Sequence, residues 1–350
     1  MVRRGPRSGL YSIVAIHSTV RGPALGGCRM WTYHDARAAV RDALRLSRAM
    51  TAKSAVADLP LGGGKGVVML PSAGPPLDPD RRRAALLDFG DTVDSLGGRY
   101  VTAEDVGTSD ADMEVIAERT EHVAGLSLER GGSGDPSAST ALGVAAAIRV
   151  TGERAWGSPS LVGRRIAVLG VGHVGARLAR LLAGEGARLV LADVDPAKRV
   201  LADELGAGWA APADALTAEV DLVAPCALGG VLDHDSVPTL RCRAVAGAAN
   251  NQLAADDVAA LLQARGIVWA PDFVANAGGI INIAVELEAA GYDPARARAR
   301  VLGIGDTLRE VFAVADASAT TPLAAAMELA GRRLGADRGA GPGAARIPGV

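Results

Sequence analysis

The sequence predicts an α/β protein in two domains, and three observations carry that prediction. The chain has 350 residues, more than one hydrophobic core usually serves. Segments rich in β-branched residues alternate with amphipathic ones at helical spacing, the signature of layered α/β structure. Near the middle a strand-like run, Arg165-Ile-Ala-Val-Leu, meets Gly170-Val-Gly172-His-Val-Gly175 and passes directly into a helix-like run.

The totals limit what the chain can act on. Lys plus Arg number 37 against 39 Asp plus Glu, a net charge of -2, and no segment gathers enough basic residues to grip nucleic acid or an anionic membrane. Small molecules and further copies of the chain remain as partners, so a homo-oligomer is expected. Cys28, Cys226 and Cys242 are odd in number and widely spaced, with no CxxC pair and no histidine cluster beside them. That argues against a disulfide framework and against a metal site. The start of the chain is basic without an apolar run behind it, and no apolar stretch reaches membrane-spanning length, so a cytoplasmic protein is expected. Glycine, at 44 residues, exceeds the usual share of about 7%, and its clustering points to ligand loops rather than a flexible linker.

In chain order, residues 11–17 read as a strand and residues 18–29, with Gly22, Pro23, Gly26 and Gly27, as a turn-rich loop. From Asp35, apolar residues at Ala39, Val40, Ala43, Leu44 and Met50 predict an amphipathic helix. Residues 66–70 read as a buried strand. Asp78-Pro79 is a helix start, an N-cap acceptor with proline in the first turn, and Gly97-Gly98 a stop. Residues 100–103 read as a short strand leading into Glu104-Asp105.

A second domain is expected from residue 137, after a first domain of 1–136, and to run to 319. Residues 140–150 read as a helix of small side chains. The Gly170–Gly175 turn lies between a strand and a helix, and a second strand ends in Asp193. Each part has a mechanical purpose in a Rossmann-type doubly wound unit: glycines for the tight turn and close pyrophosphate approach, the helix N-terminus for the anion, and the acid for the ribose hydroxyls. Gly170, Gly172, His173, Val174, Gly175 and Asp193 are therefore cofactor-binding candidates. A carboxylate at 193 favours NAD over a 2′-phosphorylated cofactor, while Arg199, a few residues on, keeps NADP open as the alternative. Further strands at 220–224, 244–248 and 267–271 end in Pro-Cys226-Ala227, Gly-Ala-Ala-Asn250-Asn251 and Val-Ala-Asn276. Ligands bind at such strand ends. Residues 294–317 and 322–334 read as helices, the second opening a closing segment of 320–350 that packs back on the first domain, with a frayed tail from Gly335.

The least ordinary stretch is 50–69, Met-Thr-Ala-Lys-Ser-Ala-Val-Ala-Asp-Leu-Pro-Leu-Gly-Gly-Gly-Lys-Gly-Val-Val-Met. Lys53 and Lys65 stand among small and apolar residues, which would desolvate an ammonium and lower its pKa from about 10.4. A surface role is the plain alternative. A phosphate loop does not fit, since Gly64-Lys65 is followed by glycine and not Ser or Thr.

Gly22-Pro-Ala-Leu-Gly-Gly, Met50-Thr-Ala-Lys, Leu61-Gly-Gly-Gly-Lys, Thr102-Ala-Glu-Asp-Val-Gly-Thr, Gly134-Asp-Pro-Ser, Ala224-Pro-Cys-Ala-Leu-Gly, Gly247-Ala-Ala-Asn-Asn-Gln and Asn276-Ala-Gly-Gly-Ile-Ile-Asn together resemble the Glu/Leu/Phe/Val amino-acid dehydrogenases, most closely those acting on leucine, valine and phenylalanine. The resemblance spans nearly the whole chain. It implies a substrate domain and an NAD domain flanking a cleft, and interconversion of an L-amino acid with its 2-oxo acid and ammonia. It makes Lys65 the base that activates water, Asp105 the carboxylate that exchanges protons with the amine, and Lys53 the partner of the substrate carboxylate. Gly26 and Gly27 would offer backbone groups to the substrate, Asn276 would lie near it, and Thr140 and Asn250 beside the nicotinamide, with Cys226 and Ala227 also on the cofactor. Leu25, Met50, Ala103, Ile280 and Ile283 would line the side-chain pocket. All are apolar, which favours branched aliphatic substrates. Two departures stand out. The chain begins close to the family's first strand, with consequences expected for subunit packing, and Asp135 stands where aliphatic relatives usually carry Asn. A non-catalytic NAD-binding sensor, and an enzyme for an aromatic or unusual amino acid, are the competing readings.

Overall fold

The computed structural model describes residues 1–72 and 77–339. The described residues divide into two compact units: those of 1–136 with 282–297 and 330–339, and those of 137–281 with 298–329.

The first unit is built from β1 (Val2–Arg4), β2 (Tyr11–Ser18), β3 (Ala24–Thr32), α1 (Ala36–Val56), β4 (Gly62–Leu70), α2 (Pro79–Asp94), β5 (Tyr100–Glu104) and α3 (Asp110–Ala117). Its sheet has the order β1-β2-β4-β3-β5, with β2 antiparallel to β1 and β4, and β3 parallel to β4 and β5. The Asp35 side chain caps α1 by accepting from the Ala38 amide at 2.7 Å. Asp78 does the same for α2 from Arg81 at 2.9 Å, ahead of Pro79, whose missing N–H costs nothing at the first turn.

Because successive strand residues point to opposite faces, the sheet has two distinct cores. Val14, Cys28, Met30 and Val68 pack with Leu86 and Phe89 of α2 and with Met113 and Ile116 of α3. Ile13, Ala15 and Val67 pack with Ala39 and Ala43 of α1. Lys65 and Arg29, out of phase with Val68, Cys28 and Met30, therefore belong to the face that α1 covers.

Residues 24–29 are not a loop as their turn-forming residues suggest; they are the first six residues of the interior strand β3, between β4 and β5. The glycines there serve close approach. A Cβ on Gly26 would lie 1.8 Å from the Gly64 carbonyl oxygen, and one on Gly27 2.5 Å from that of Glu104. The strand after α1 likewise starts at Gly62, four residues earlier than its apolar run implies. In that strand Gly63 makes room for Thr51 of α1, and Gly64 for the Tyr100 ring.

The second unit comprises α4 (Ser137–Trp156), β6 (Arg165–Leu169), α5 (His173–Gly184), β7 (Arg188–Ala192), α6 (Arg199–Leu205), β8 (Gly208–Trp209), α7 (Pro212–Leu216), β9 (Leu222–Pro225), β10 (Ala244–Val245), α8 (Val258–Ala264), β11 (Val268–Trp269) and α9 (Asp272–Ala275). The sheet order is β11-β10-β9-β6-β7-β8, and every pairing is parallel. This is the doubly wound arrangement, with its topological switch between β6 and β9. Ala167, Val223, Val245 and Trp269 form the core with Val258 and Leu262 of α8. Helices α10 (Gly278–Glu286), α11 (Pro294–Leu302), α12 (Ile304–Ala317) and α13 (Pro322–Gly339) follow.

The single helix expected over 294–317 is broken at Gly303. There the amide of Gly303 bonds to Arg300 and that of Asp306 to Gly303, three residues back and not four, the tighter turn that ends an α-helix. Helix α13 continues through 335–339; the rest of the tail expected to fray lies outside the described residues. Arg333 of α13 donates to the Val56 carbonyl at 2.5 Å, both residues belonging to the first unit.

Candidate active site

Lys65 sits in β4 with 4% of its surface exposed, and its Nζ lies 2.8 Å from Asp105 Oδ2. The position of Asp105 follows from the residues after it. Gly107, at φ +84°, turns the chain against Met30, where a Cβ would meet the carbonyl oxygen at 2.0 Å. Thr108 accepts from the Asp105 amide at 3.0 Å and donates to the Cys28 carbonyl at 2.8 Å. The Asp-Val-Gly-Thr turn is thereby fixed to β3, and Asp105 is set facing β4.

A third group shares this carboxylate. Arg29 Nε donates to the same Asp105 Oδ2 at 2.8 Å, while its Nη1 donates to Asp42 of α1 at 2.9 Å. Asp42 is held in turn by Tyr33 Oη and Arg45 Nη2, each at 2.8 Å. Burial pulls the Lys65 pKa below that of an ordinary lysine; Asp105 opposes this, and the Arg29 charge adds to the lowering. Burial alone would raise the Asp105 carboxyl, but Lys65 and Arg29 hold it below the usual carboxylate range. The neighbouring Glu104 behaves oppositely. Burial, then the charges of Asp135, Asp110 and Asp105, push its carboxyl up to about 7, so the Asp135 departure adds negative charge next to the motif.

The other candidates in this unit are placed as follows. Lys53 is half-buried in the last turn of α1, with Met50 half-buried one turn earlier. Gly26 is buried in β3, its carbonyl accepting from Tyr100 Oη; Gly27 is half-buried beside it. The β3–β4 register pairs Leu25 with Gly63 and Cys28 with Gly66, passing over both glycines. Leu25 and Ala103 are buried in neighbouring strands, and Ile283, on α10, is also buried.

In the second unit, β6 ends at Leu169 and Gly170 turns at φ +97°, where a Cβ would lie 2.6 Å from that of Ala227. A Cβ on Gly175 would lie 1.9 Å from the Gly170 carbonyl oxygen, so helix α5 packs tightly on the turn. Gly172, by contrast, faces open space, with exposed His173 and half-buried Val174 following it in the first turn. Asp193 follows β7 and accepts from the Val171 amide at 2.8 Å and the Asp195 amide at 3.0 Å. The Cys226 amide donates to Leu169 at 2.7 Å, tying the end of β9 to that of β6. Asn276, closing α9, donates to the Ala248 carbonyl at 3.1 Å and to Asn250 Oδ1 at 2.9 Å. Its own Oδ1 is buried with no hydrogen-bond partner among the described residues. Buried polar atoms are rarely left so, and a ligand amide would satisfy it. Thr140 lies half-buried in the first turn of α4, and Ile280 half-buried in α10. The glycine cradle, the free face at Gly172 and the orphaned Asn276 oxygen fit a dinucleotide. Among the described residues no group of three or more His, Cys, Asp or Glu is arranged to hold a metal ion.

Known proteins match this arrangement. The family described as Glu/Leu/Phe/Val dehydrogenase, dimerisation domain, matches residues 3–122, and Glutamate/Leucine/Phenylalanine/Valine dehydrogenase matches residues 197–301. Leucine dehydrogenase of Geobacillus stearothermophilus is 44% identical over 93% of this chain and 88% of its own. Valine dehydrogenase of Streptomyces virginiae is 46% identical over 93% of this chain and 90% of its own. The chain belongs to this dehydrogenase family. Among solved structures, L-tryptophan dehydrogenase from Nostoc punctiforme superposes with a TM-score of 0.81 at 37% identity, covering 97% of this chain and 96% of that one.

The dehydrogenase therefore carries out oxidative deamination of an amino acid with a nicotinamide cofactor. Reading the residues singly misses Arg29. Its signal is present, since Gly-Gly-Cys-Arg in a strand puts arginine on the same side as Gly27, but the segment reads as a loop. No helix among the described residues is long and apolar enough to cross a membrane.

Proposed function

We propose that this dehydrogenase oxidises an L-amino acid with a branched aliphatic side chain, using NAD, and that Lys65 and Asp105 carry its proton transfers. The observation that carries the reading is the buried Lys65–Asp105 contact of 2.8 Å. Burial lowers the Lys65 pKa and so favours its action as a base, while Lys65 and Arg29 hold the Asp105 carboxyl ionised and ready to take a proton. Lys53 pairs with the substrate carboxylate. Asp105 accepts a proton from the substrate amine as the α-carbon is oxidised to an imine. Unprotonated Lys65 then takes a proton from the water that attacks the imine carbon, and ammonia leaves as the 2-oxo acid forms. Bound NAD supplies the hydride acceptor, and Gly170, Gly172 and Gly175 with Asp193 hold it, Asp193 disfavouring a 2′-phosphate. Since unprotonated Lys65 is the active form, kcat/KM should fall as pH drops through its lowered pKa.

Leu25, Met50, Ala103, Ile280 and Ile283 offer no cation for a second substrate carboxylate, which would be costly to bury unpaired. They favour valine, leucine or isoleucine. The likeness to a tryptophan dehydrogenase supports an aromatic preference as the second reading. NADH formation with a panel of L-amino acids decides between them: the highest kcat/KM on an aliphatic substrate is expected, and an aromatic or acidic optimum would reject the aliphatic pocket. In the same assay Lys65→Ala should lower kcat by at least about a hundredfold, the scale of a general base, with NAD affinity retained. Equal losses in both would contradict its assignment.

A further inference from the structure

We propose that Arg29 is a positioning residue for the deamination chemistry: it holds Asp105 on the oxygen that faces Lys65 and divides that oxygen's charge between two cations. The proposal rests on the reading of Lys65 as the base. A buried lysine with a carboxylate to itself would stay protonated, because the ion pair stabilises the charged form. Here Asp105 Oδ2 is 2.8 Å from Lys65 Nζ and 2.8 Å from Arg29 Nε. Arg29 stays charged throughout the working pH range, so it competes for the carboxylate permanently and repels a proton on Lys65 as well.

The anchoring of Arg29 suits this task. Its planar guanidinium spans Asp105 with Nε and Asp42 with Nη1, and Asp42 is itself fixed by Tyr33 and Arg45. A lysine reaches one of these carboxylates but lacks the rigid fork that engages both. Among the groups around Lys65, Arg29 is the cation whose charge bears on the lysine most directly. From β3 comes Cys28, whose thiol burial keeps neutral. After β5 come Glu104 and Asp105. Helix α1, packed on this face, carries Asp42, Arg45, Arg48 and Lys53, and β2 carries His17, bonded to Thr51 at 2.9 Å.

The chain contains three lysines, Lys53, Lys65 and Lys198, so the state of Lys65 can be followed without turnover. Labelling the intact protein with acetic anhydride across a pH series, with mass spectrometry of the Lys65 peptide, reports its titration directly. In Arg29→Gln the Lys65 labelling profile, and the acid limb of kcat/KM, should both move to higher pH by about one unit, a tenfold loss of active enzyme below the pKa. Arg29→Lys should shift both less and recover part of the activity, and NAD affinity should hold in both variants. Should Arg29→Gln fail to fold, Arg29→Lys, which keeps one cation but lacks the fork that engages both carboxylates, carries the test with its smaller shift in the same direction. An unmoved labelling profile with activity lost equally at every pH would overturn the proposal and leave Arg29 a structural residue. A shifted profile alongside an active Lys65→Ala enzyme would reject the reading of Lys65 as base while supporting the charge division.

Discussion

Asp193 follows β7 with each carboxylate oxygen already accepting one backbone amide, from Val171 and Asp195. Those bonds fix its direction and leave lone pairs, so under the proposed use of NAD, discrimination against a 2′-phosphate would rest on this one carboxylate. Replacing it with serine should narrow the preference for NAD over NADP by at least about tenfold, equal to about 1.4 kcal/mol. The ratio of kcat/KM for the two cofactors checks this, and an unchanged ratio would assign the selectivity elsewhere. At this scale the sequence was informative where a residue's neighbours are its sequence neighbours. Asp193 lies one strand past the glycine turn, and Lys65 stands inside its own glycine cluster. Arg29 was missed because what defines it, a shared oxygen on a residue 76 positions away, depends on two strands pairing.

Among the elements, α1 and α2 were legible from their caps and spacing, and β6-turn-α5 from its glycines. The interior strand β3 was not. Its glycines read as turn formers because sequence statistics treat glycine as a residue of free backbone, whereas here it serves as a residue without a Cβ. The same geometry gives a test. Alanine at Gly26 would put a methyl 1.8 Å from the Gly64 carbonyl oxygen, pushing β4 away at the residue before Lys65. Gly26→Ala should destabilise the protein by about 1–3 kcal/mol, the usual cost of overpacking, and lower kcat beyond what the remaining folded fraction explains. Urea denaturation and kcat on one preparation would show this; wild-type stability would mean that β3 and β4 can separate freely. The break at Gly303 escaped notice for a related reason, since the apolar pattern continues on both sides and only the hydrogen-bond ladder reveals the tighter turn.

At the level of the whole molecule, the chain forms two units, and its first matches a family domain described as one of dimerisation. The protein is accordingly proposed to assemble as a homo-oligomer, and light scattering should return at least twice the 35.5 kDa of the chain. A monomer mass at assay concentration, with full activity, would remove oligomerisation from the account. The division itself shows what one-dimensional reading misses. Residues 282–297 cluster with the first unit although they follow the second in sequence.

The sequence by itself determined the α/β class, the nucleotide-binding turn, the family and the pair Lys65 and Asp105 as candidates. Each is written in local patterns or in motifs whose order can be read along the chain. The tertiary structure alone decided that Gly26 and Gly27 lie in a strand, that Asp105 is shared between Lys65 and Arg29, and that Glu104 is pushed up to about 7 by burial and by Asp135, Asp110 and Asp105. Those properties come from which backbones approach one another and which charges lose their water, and strand pairing and burial bring both about between residues far apart in the chain.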